Sequence, residues 1–220
     1  MKIVAVPARH WWDPAYISKN LPMIVVHDPR PGVPEANIWY PGNQGDVGWF
    51  IHSYESAWLP AGMLAADHRA QLNEMLCAAT RHWHVALHFN KGLAGAPADA
   101  TDAARETPMN PAVTQAFALA ILGAGGPPAF PGMPRPDLVL ARQNAAAVAR
   151  AIGIIHDAVP DAGSYVSEAA FTDPDWQRRS FGDNYQRLLE VKRRYDPDGL
   201  FITHHGVGSE EWSTDGFTRI

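Results

Sequence analysis

The chain has 220 residues, enough for one good core or two unequal lobes, and its composition is that of an ordinary globular protein. Its net charge of −5 and the lack of any basic tract exclude nucleic acid as a partner. A single cysteine, Cys77, excludes an internal disulfide framework, and no apolar run approaches the ~18–20 residues that cross a bilayer. The apolar start around Ile3 is too brief for a signal peptide, so a soluble cytoplasmic protein with no membrane partner is expected.

In chain order, residues 2–6 suit a short strand. Pro14, Pro22, Pro29, Pro31 and Pro34 make the next stretch irregular, with a short buried strand over residues 23–27. Residues 38–58 read as two strands around a turn cluster at 41–46. Period two puts Phe50, His52, Tyr54, Ser56 and Trp58 on one face, and Trp49, Ile51, Ser53 and Glu55 on the other. Large aromatics on both faces suit a sheet covered by helices on one side and by a ligand or second domain on the other. His52, Tyr54 and Trp58 are therefore candidate substrate-binding residues; packed core against the helices is the alternative for the same face.

A helix over residues 67–82, capped by Asp67, turns Leu72, Met75, Leu76 and Ala79 inward, and Cys77 on it reads as a small buried thiol. Residues 83–90 alternate as a strand that ends at Lys91-Gly92. Helices are expected over 97–107 and 111–122, the second with Pro111 in its first turn. Residues 123–136, dense in Gly and Pro, form a loop, and residues 138–159 a long helix with Val148, Ile152, Ile155 and Val159 on one face. Residues 164–168 read as a strand. Gly182-Asp183 then caps a helix that aligns Tyr185, Leu188, Leu189 and Tyr195, and Asp196-Pro197-Asp198-Gly199 stops it. Strands interleaved with helices, without a repeat, predict an α+β fold: an antiparallel sheet backed by helices on one face.

Of the ten histidines, His82, His84 and His88 lie close in sequence, and His204 and His205 are adjacent. No helical His-x-x-x-His and no Cys cluster accompanies them, so no metal site is assigned. Ser164 lacks a nucleophile elbow and any local activator, so a hydrolase is not indicated.

Tyr165, Gly182, Asn184, Tyr185, Arg187, Leu188, Lys192, Asp196, Pro197 and Phe201 fall at the spacing of a known C-terminal signature. In these residues the chain resembles the berberine bridge enzyme-like family of FAD-linked oxidases. The tail from His204 to Trp212 is similar to bacterial and fungal members, as are Gly42-Asn43-Gln44-Gly45, Ala57-Trp58-Leu59-Pro60 and Leu87-His88-Phe89-Asn90-Lys91-Gly92. The resemblance implies a partial substrate domain over residues 1–160. It also implies a C-terminal strand-helix segment over 161–220 that docks on an N-terminal flavin-binding domain. No Gly-rich phosphate loop of such a domain occurs in the sequence, so FAD would be held mostly elsewhere.

Carried over by position, Tyr165, Asn184 and Tyr185 are the implied flavin contacts. Carbohydrate-oxidising members carry Tyr-x-Asn-Tyr in the strand, with the last Tyr as base; here Ser167 and Glu168 stand at the matching places. A carboxylate held out of water has a raised pKa and can act as base, which makes Glu168, beside Tyr165, the catalytic candidate. The alternative is that Glu168 anchors a loop or pairs with Arg178 or Arg179. The departure also turns the expectation away from a sugar. The expected activity is hydride transfer from a small-molecule substrate C–H, an alcohol, to FAD; the alternative is a non-catalytic remnant or binding module of the same fold. An aromatic sheet face left open to water predicts self-association.

Overall fold

The computed structural model describes residues 7–10, 13–40, 49–90, 96–129 and 132–220. The expected strand at 2–6, the turn cluster at 41–46 and the strand end at Lys91-Gly92 lie outside them. The chain divides into two units, Met1–Phe50 with Gly126–Pro136, and Ile51–Gly125 with Asp137–Ile220.

The first unit is less irregular than its prolines suggest. Asp13 accepts from the Tyr16 N–H and Pro14 occupies the first turn of α1 (Pro14–Asn20), a cap-plus-proline start that any helix can use. Ile17, Leu21 and Val25 are buried together, with Tyr16, Ile24, Ile38 and Tyr40 packed on them. The expected strand at 23–27 shrinks to β1 (Val26–His27), because Pro22 opens a 3-10 turn over Pro22–Ile24. β1 pairs antiparallel with β2 (Ile38–Trp39), so the strand at 38–39 takes its partner from upstream and not from the strand that follows. The Asp28 carboxylate gathers the Arg30 N–H, the Arg30 guanidinium and the Asn37 amide, which closes the intervening turn.

The second unit holds a three-stranded sheet in the order β3-β5-β4, formed by β3 (Phe50–Pro60), β4 (Ala86–Phe89) and β5 (Ala116–Gly126). β4 runs antiparallel to β5, with Ala86 opposite Ile121 and His88 opposite Leu119. α2 (Arg69–Thr80) and α4 (Leu138–Ala158) pack against each other and cover one sheet face. The core there joins Ala57 and Leu59 of β3, Ala120, Leu122 and Ala124 of β5, Met75 and Ala79 of α2, and Val148, Ile152 and Ile155 of α4. Each large aliphatic buried this way contributes about 1.5–3 kcal/mol. This is the α+β architecture expected from the sequence.

Several local readings are corrected. Residues 111–122 are not a helix: Pro111–Gln115 is a 3-10 turn and β5 follows. Its run Ala-Phe-Ala-Leu-Ala-Ile-Leu is apolar on both faces because the strand is central, and alternation is lost where both sides are buried. Asp67 does not cap α2; His68 stands at that position without a side-chain bond. Cys77 is exposed, since two residues beyond Met75 is about 200° around the helix. α4 is long and apolar enough, by length and composition alone, to cross a membrane, contrary to the expectation from sequence. Its Ala141, Val148, Ala151, Ile152 and Ile155 are buried in the core.

Three further helices complete the unit: α3 (Ala98–Arg105), α5 (Trp176–Phe181) and α6 (Tyr185–Tyr195). Gly182 joins the last two with a φ of 55°, a backbone that side-chain-bearing residues rarely adopt. Tyr185 and Leu189 are buried and Leu188 partly so, whereas Tyr195 is exposed. Ten residues from Tyr185 is about 2.8 turns, which carries Tyr195 off the apolar stripe.

Candidate functional site

β3 and β5 present different chemistry on their two faces. Tyr54 and Trp58 pack with Ala116, Leu119 and Ile121, and Ala112 and Val113 of the preceding turn join them. The register adds Ala86 and His88 of β4 to this face, since directly paired residues point the same way. Ala57, Leu59, Ala120 and Leu122 point to the helices instead. The Tyr54–Trp58 face is therefore turned away from α2 and α4, and packing against those helices does not explain its aromatics. Gly123 shapes it: a Cβ there would lie 2.6 Å from the Tyr54 ring, so only glycine lets that ring rest on β5. His52 departs from the set, because its Nδ1 lies 3.1 Å from the Asn144 amide of α4.

The segment after α4 docks along β3. The Trp58 N–H donates to Gly163 O (2.8 Å) and the Ser164 N–H to Arg179 O (2.7 Å). The next bond is made by a side chain: the Tyr165 N–H donates to Ser56 Oγ at 3.1 Å, and the Ser56 and Ser164 hydroxyls lie 2.9 Å apart. Strand pairing stops at that hydroxyl, which is why residues 164–168 are not the expected strand. The chain turns into a 3-10 helix over Val166–Glu168, closed by the Glu168 N–H on Tyr165 O at 2.8 Å.

That turn delivers Glu168 to Tyr54. Its Oε2 is buried without a hydrogen-bond partner. Burial pushes the Glu168 carboxyl above the usual range, and the His88 imidazole opposes that shift. Tyr54 is pushed up as well, by burial and then by the Glu168 charge. Neither arginine weighed from sequence pairs with Glu168. Arg178 Nε donates to Asp175 at 2.8 Å, and Arg179 is held by His156 (2.8 Å) and Asp173. An unpaired carboxylate of raised pKa, beside a phenol and facing an apolar surface, is equipped to take a proton from a bound hydroxyl.

The other implied contacts lie elsewhere. The Asn184 side-chain amide donates to three carbonyls, Arg105 (2.8 Å), Thr107 (3.0 Å) and Met109 (3.1 Å). Tyr185 is buried against Trp176 and Phe181, its hydroxyl donating to Glu210 (2.5 Å) and accepting from the Gly208 N–H (3.2 Å). Burial, with the Glu210 hydrogen bond, raises the Tyr185 pKa. Tyr165, by contrast, is exposed beside Glu168. The structure thus gathers Tyr54, Trp58, Tyr165 and Glu168, and places His52, Asn184 and Tyr185 in other contacts.

Sequence reading missed three members of the region. His88 was noted only for its nearness to His82 and His84 and as part of the run Leu87 to Gly92, and Gly123 sat in a stretch taken for loop. Ser56 did carry a signal, as the one small polar residue on an aromatic face. A cavity of about 320 Å³ lies apart from this face, lined by Trp176, His204, His205, Trp212 and Asp215 among others. Behind β3, Glu55, His156, Asp173 and Arg179 form a largely buried polar cluster. There burial lifts the Glu55 carboxyl to about 7 and lowers His156 to about 4. Among the described residues no three His, Cys, Asp or Glu side chains converge to hold a metal.

Residues 164–208 match the family described as berberine and berberine like. The chain is 48% identical over 60 residues to an uncharacterised FAD-linked oxidoreductase of Arthroderma benhamiae, which is 27% of this chain and 10% of that protein. It is 44% identical over 63 residues to a VAO-type flavoprotein oxidase of Thermothelomyces thermophilus, 29% of this chain and 11% of that protein. A flavin-dependent oxygenase of Aspergillus ustus is 47% identical over 61 residues, covering 28% of this chain and 11% of its own length. In fold, the crystal structure of a VAO-type flavoprotein of Myceliophthora thermophila superposes with a TM-score of 0.56 at 24% identity, over 73% of this chain and 28% of that one. The alignments thus span about a tenth of each curated relative and just over a quarter of the solved one. Signature and matched segment agree: residues 164–208 match the berberine and berberine-like family, and over that part the chain is similar to FAD-linked oxidoreductases, whose solved VAO-type member shares its fold.

Proposed function

We propose that this chain supplies the substrate-facing wall and the catalytic base of an FAD-dependent oxidoreductase acting on an alcohol. The observation that carries the reading is the buried, unpartnered Oε2 of Glu168 on the apolar Tyr54–Trp58 face. Such an atom costs stability unless a ligand uses it. The residues fit a flat aromatic cofactor and an apolar substrate: an aromatic patch, an exposed tyrosine and one base. Tyr165, Tyr54 and Trp58 would hold FAD or substrate, with Asn184 and Tyr185 bracing the segment behind them. FAD, when bound, supplies the acceptor for the hydride leaving the substrate carbon.

The chain's own residues handle the proton. Glu168 Oε2 takes it from the substrate hydroxyl, and the nearby His88 imidazole partly offsets the upward push of burial on that carboxyl. Tyr54 and Trp58 exclude water and align an aromatic or aliphatic body, which favours an apolar alcohol over a sugar. The remaining partner is a flavin-binding domain. Tyr195, Leu200, Phe201, Phe217 and Ile220 are large, apolar and more than 70% exposed, the kind of surface a second domain or a second copy covers. A cytoplasmic location accompanies this reading.

A second reading has an observation of its own. Because the Asn184 amide and the Tyr185 hydroxyl are satisfied internally, the chain also suits a non-catalytic module that keeps the fold without flavin. The test is the visible spectrum of the purified chain with FAD, before and after removal of excess, followed by oxygen uptake with an aromatic primary alcohol. A retained, perturbed flavin band and a fall of about 10²–10⁴-fold in kcat for Glu168→Gln support the first reading. No perturbation at any FAD concentration favours the second.

A further inference from the structure

We propose that Ser56 is a positioning residue: its hydroxyl, with that of Ser164, latches the 164–168 turn onto β3 and so fixes Glu168 over Tyr54. The inference rests on the reading of Glu168 as base and extends it to a residue that touches neither substrate nor cofactor.

Ser56 is 1% exposed and Ser164 4%, so neither hydroxyl has water to fall back on. Both need partners inside the protein, and each finds the other at 2.9 Å. The Tyr165 N–H donates to Ser56 Oγ, and the Ser56–Ser164 bond can run in either direction, since a hydroxyl oxygen accepts two bonds and donates one. In both directions Ser56 is the acceptor on which the turn ends. A backbone carbonyl in its place would continue the strand. A side-chain oxygen stops it, frees the chain to enter the Val166–Glu168 turn, and brings Glu168 to the sheet face. Upstream, the Trp58 N–H on Gly163 O holds the segment to β3, and the Ser164 N–H on Arg179 O holds it to α5. Ser56 is the last tie before the functional carboxylate. Alanine at 56 fits sterically but removes the acceptor of the Tyr165 N–H.

The test uses the full chain and two readouts that bulk stability does not mimic. Amide exchange at Tyr165 reports the latch; the carboxyl titration of Glu168, assigned by its loss in Glu168→Gln, reports its position. Tyr54 and His88 are the titrating neighbours and are followed alongside. In Ser56→Ala, Tyr165 exchange should rise roughly 2- to 10-fold, the effect of one lost hydrogen bond of ordinary strength, and Glu168 should titrate closer to the usual carboxylate range. In Ser164→Ala, which keeps the Tyr165 bond, both changes should be smaller. This second variant decides the matter if the first fails to fold. Unchanged exchange and unchanged Glu168 titration in a folded variant overturn the latch. If both move as expected but Glu168→Gln leaves flavin-dependent turnover and its pH profile intact, the latch stands and the catalytic reading falls.

Discussion

Two regions of the second unit treat buried polar groups in opposite ways. In the C-terminal knot, Asn184 is matched with three carbonyls, Tyr185 with Glu210 and Gly208, and Lys192 with Asp196 and the Phe201 carbonyl, while the Ser180 hydroxyl alone among the named side chains is buried without a partner. On the sheet face turned away from the helices, Glu168 Oε2 is buried and unmatched, beside a phenol whose own ionisation it suppresses. Matched groups rigidify; an unmatched one is a cost that folding alone does not explain. The difference sets Glu168, as the candidate functional group, apart from Asn184 and Tyr185, although all three lie in residues 164–208.

The largest effect should come from the matched side. Asn184→Ala removes the donor shared by Arg105, Thr107 and Met109, and should cost about 2–4 kcal/mol in urea unfolding. Tyr185→Phe should cost about 1–2 kcal/mol by stranding the buried Gly208 N–H and losing the bond to Glu210. If either variant keeps full stability but loses flavin, the knot is a cofactor contact and the contrast breaks. Next is Gly123→Ala. The new methyl would meet the Tyr54 ring at 2.6 Å, so about 1–3 kcal/mol of overpacking strain and a changed near-UV tyrosine signal are expected.

A pH experiment sharpens the picture on the other side of β3. Folding raises Glu55 from 4.5 to about 7, so the unfolded chain loses that proton first and stability falls as pH rises through this span. Folding lowers His156 from 6.5 to about 4, so the unfolded chain binds more proton there and stability rises with pH over much of the same span. The two slopes oppose, each at most about 1.4 kcal/mol per pH unit. Wild-type stability should thus be nearly flat between these values. Glu55→Gln should tilt it upward with pH and His156→Gln downward, as read from unfolding midpoints; equal tilts would show that the cluster is not coupled to folding in this way.

The smallest effect is the most diagnostic. Burial raises the Glu168 pKa, so its ionised form works against folding above the usual carboxylate range. Glu168→Gln should leave stability within about 1 kcal/mol at pH 5 and shift it slightly upward at pH 8. A clear loss at pH 8 would mean that Glu168 has a structural partner and that the two regions are alike.

The sequence by itself settled what periodicity and spacing carry. The α4 stripe of Val148, Ile152, Ile155 and Val159 is buried as read, because one face of a long helix meets one core. The signature from Tyr165 to Phe201 pointed to the family that residues 164–208 match, because many fixed residues at fixed spacing rarely coincide. Elsewhere local pattern had no say. β5 is alanine-rich and followed a helix-starting proline, yet burial between two faces made it a central strand. Cys77 and Tyr195 lay one step off their stripes, beyond what a rough period resolves. The candidate site was half visible: Tyr54, Trp58, Tyr165 and Glu168 were named as candidates, but their meeting depends on residues 56 and 164 bonding across 108 positions of chain. Local sequence encodes which face a side chain takes. Only tertiary structure decides which distant hydroxyl ends a strand, and therefore whether a carboxylate reaches water, an arginine or an apolar wall.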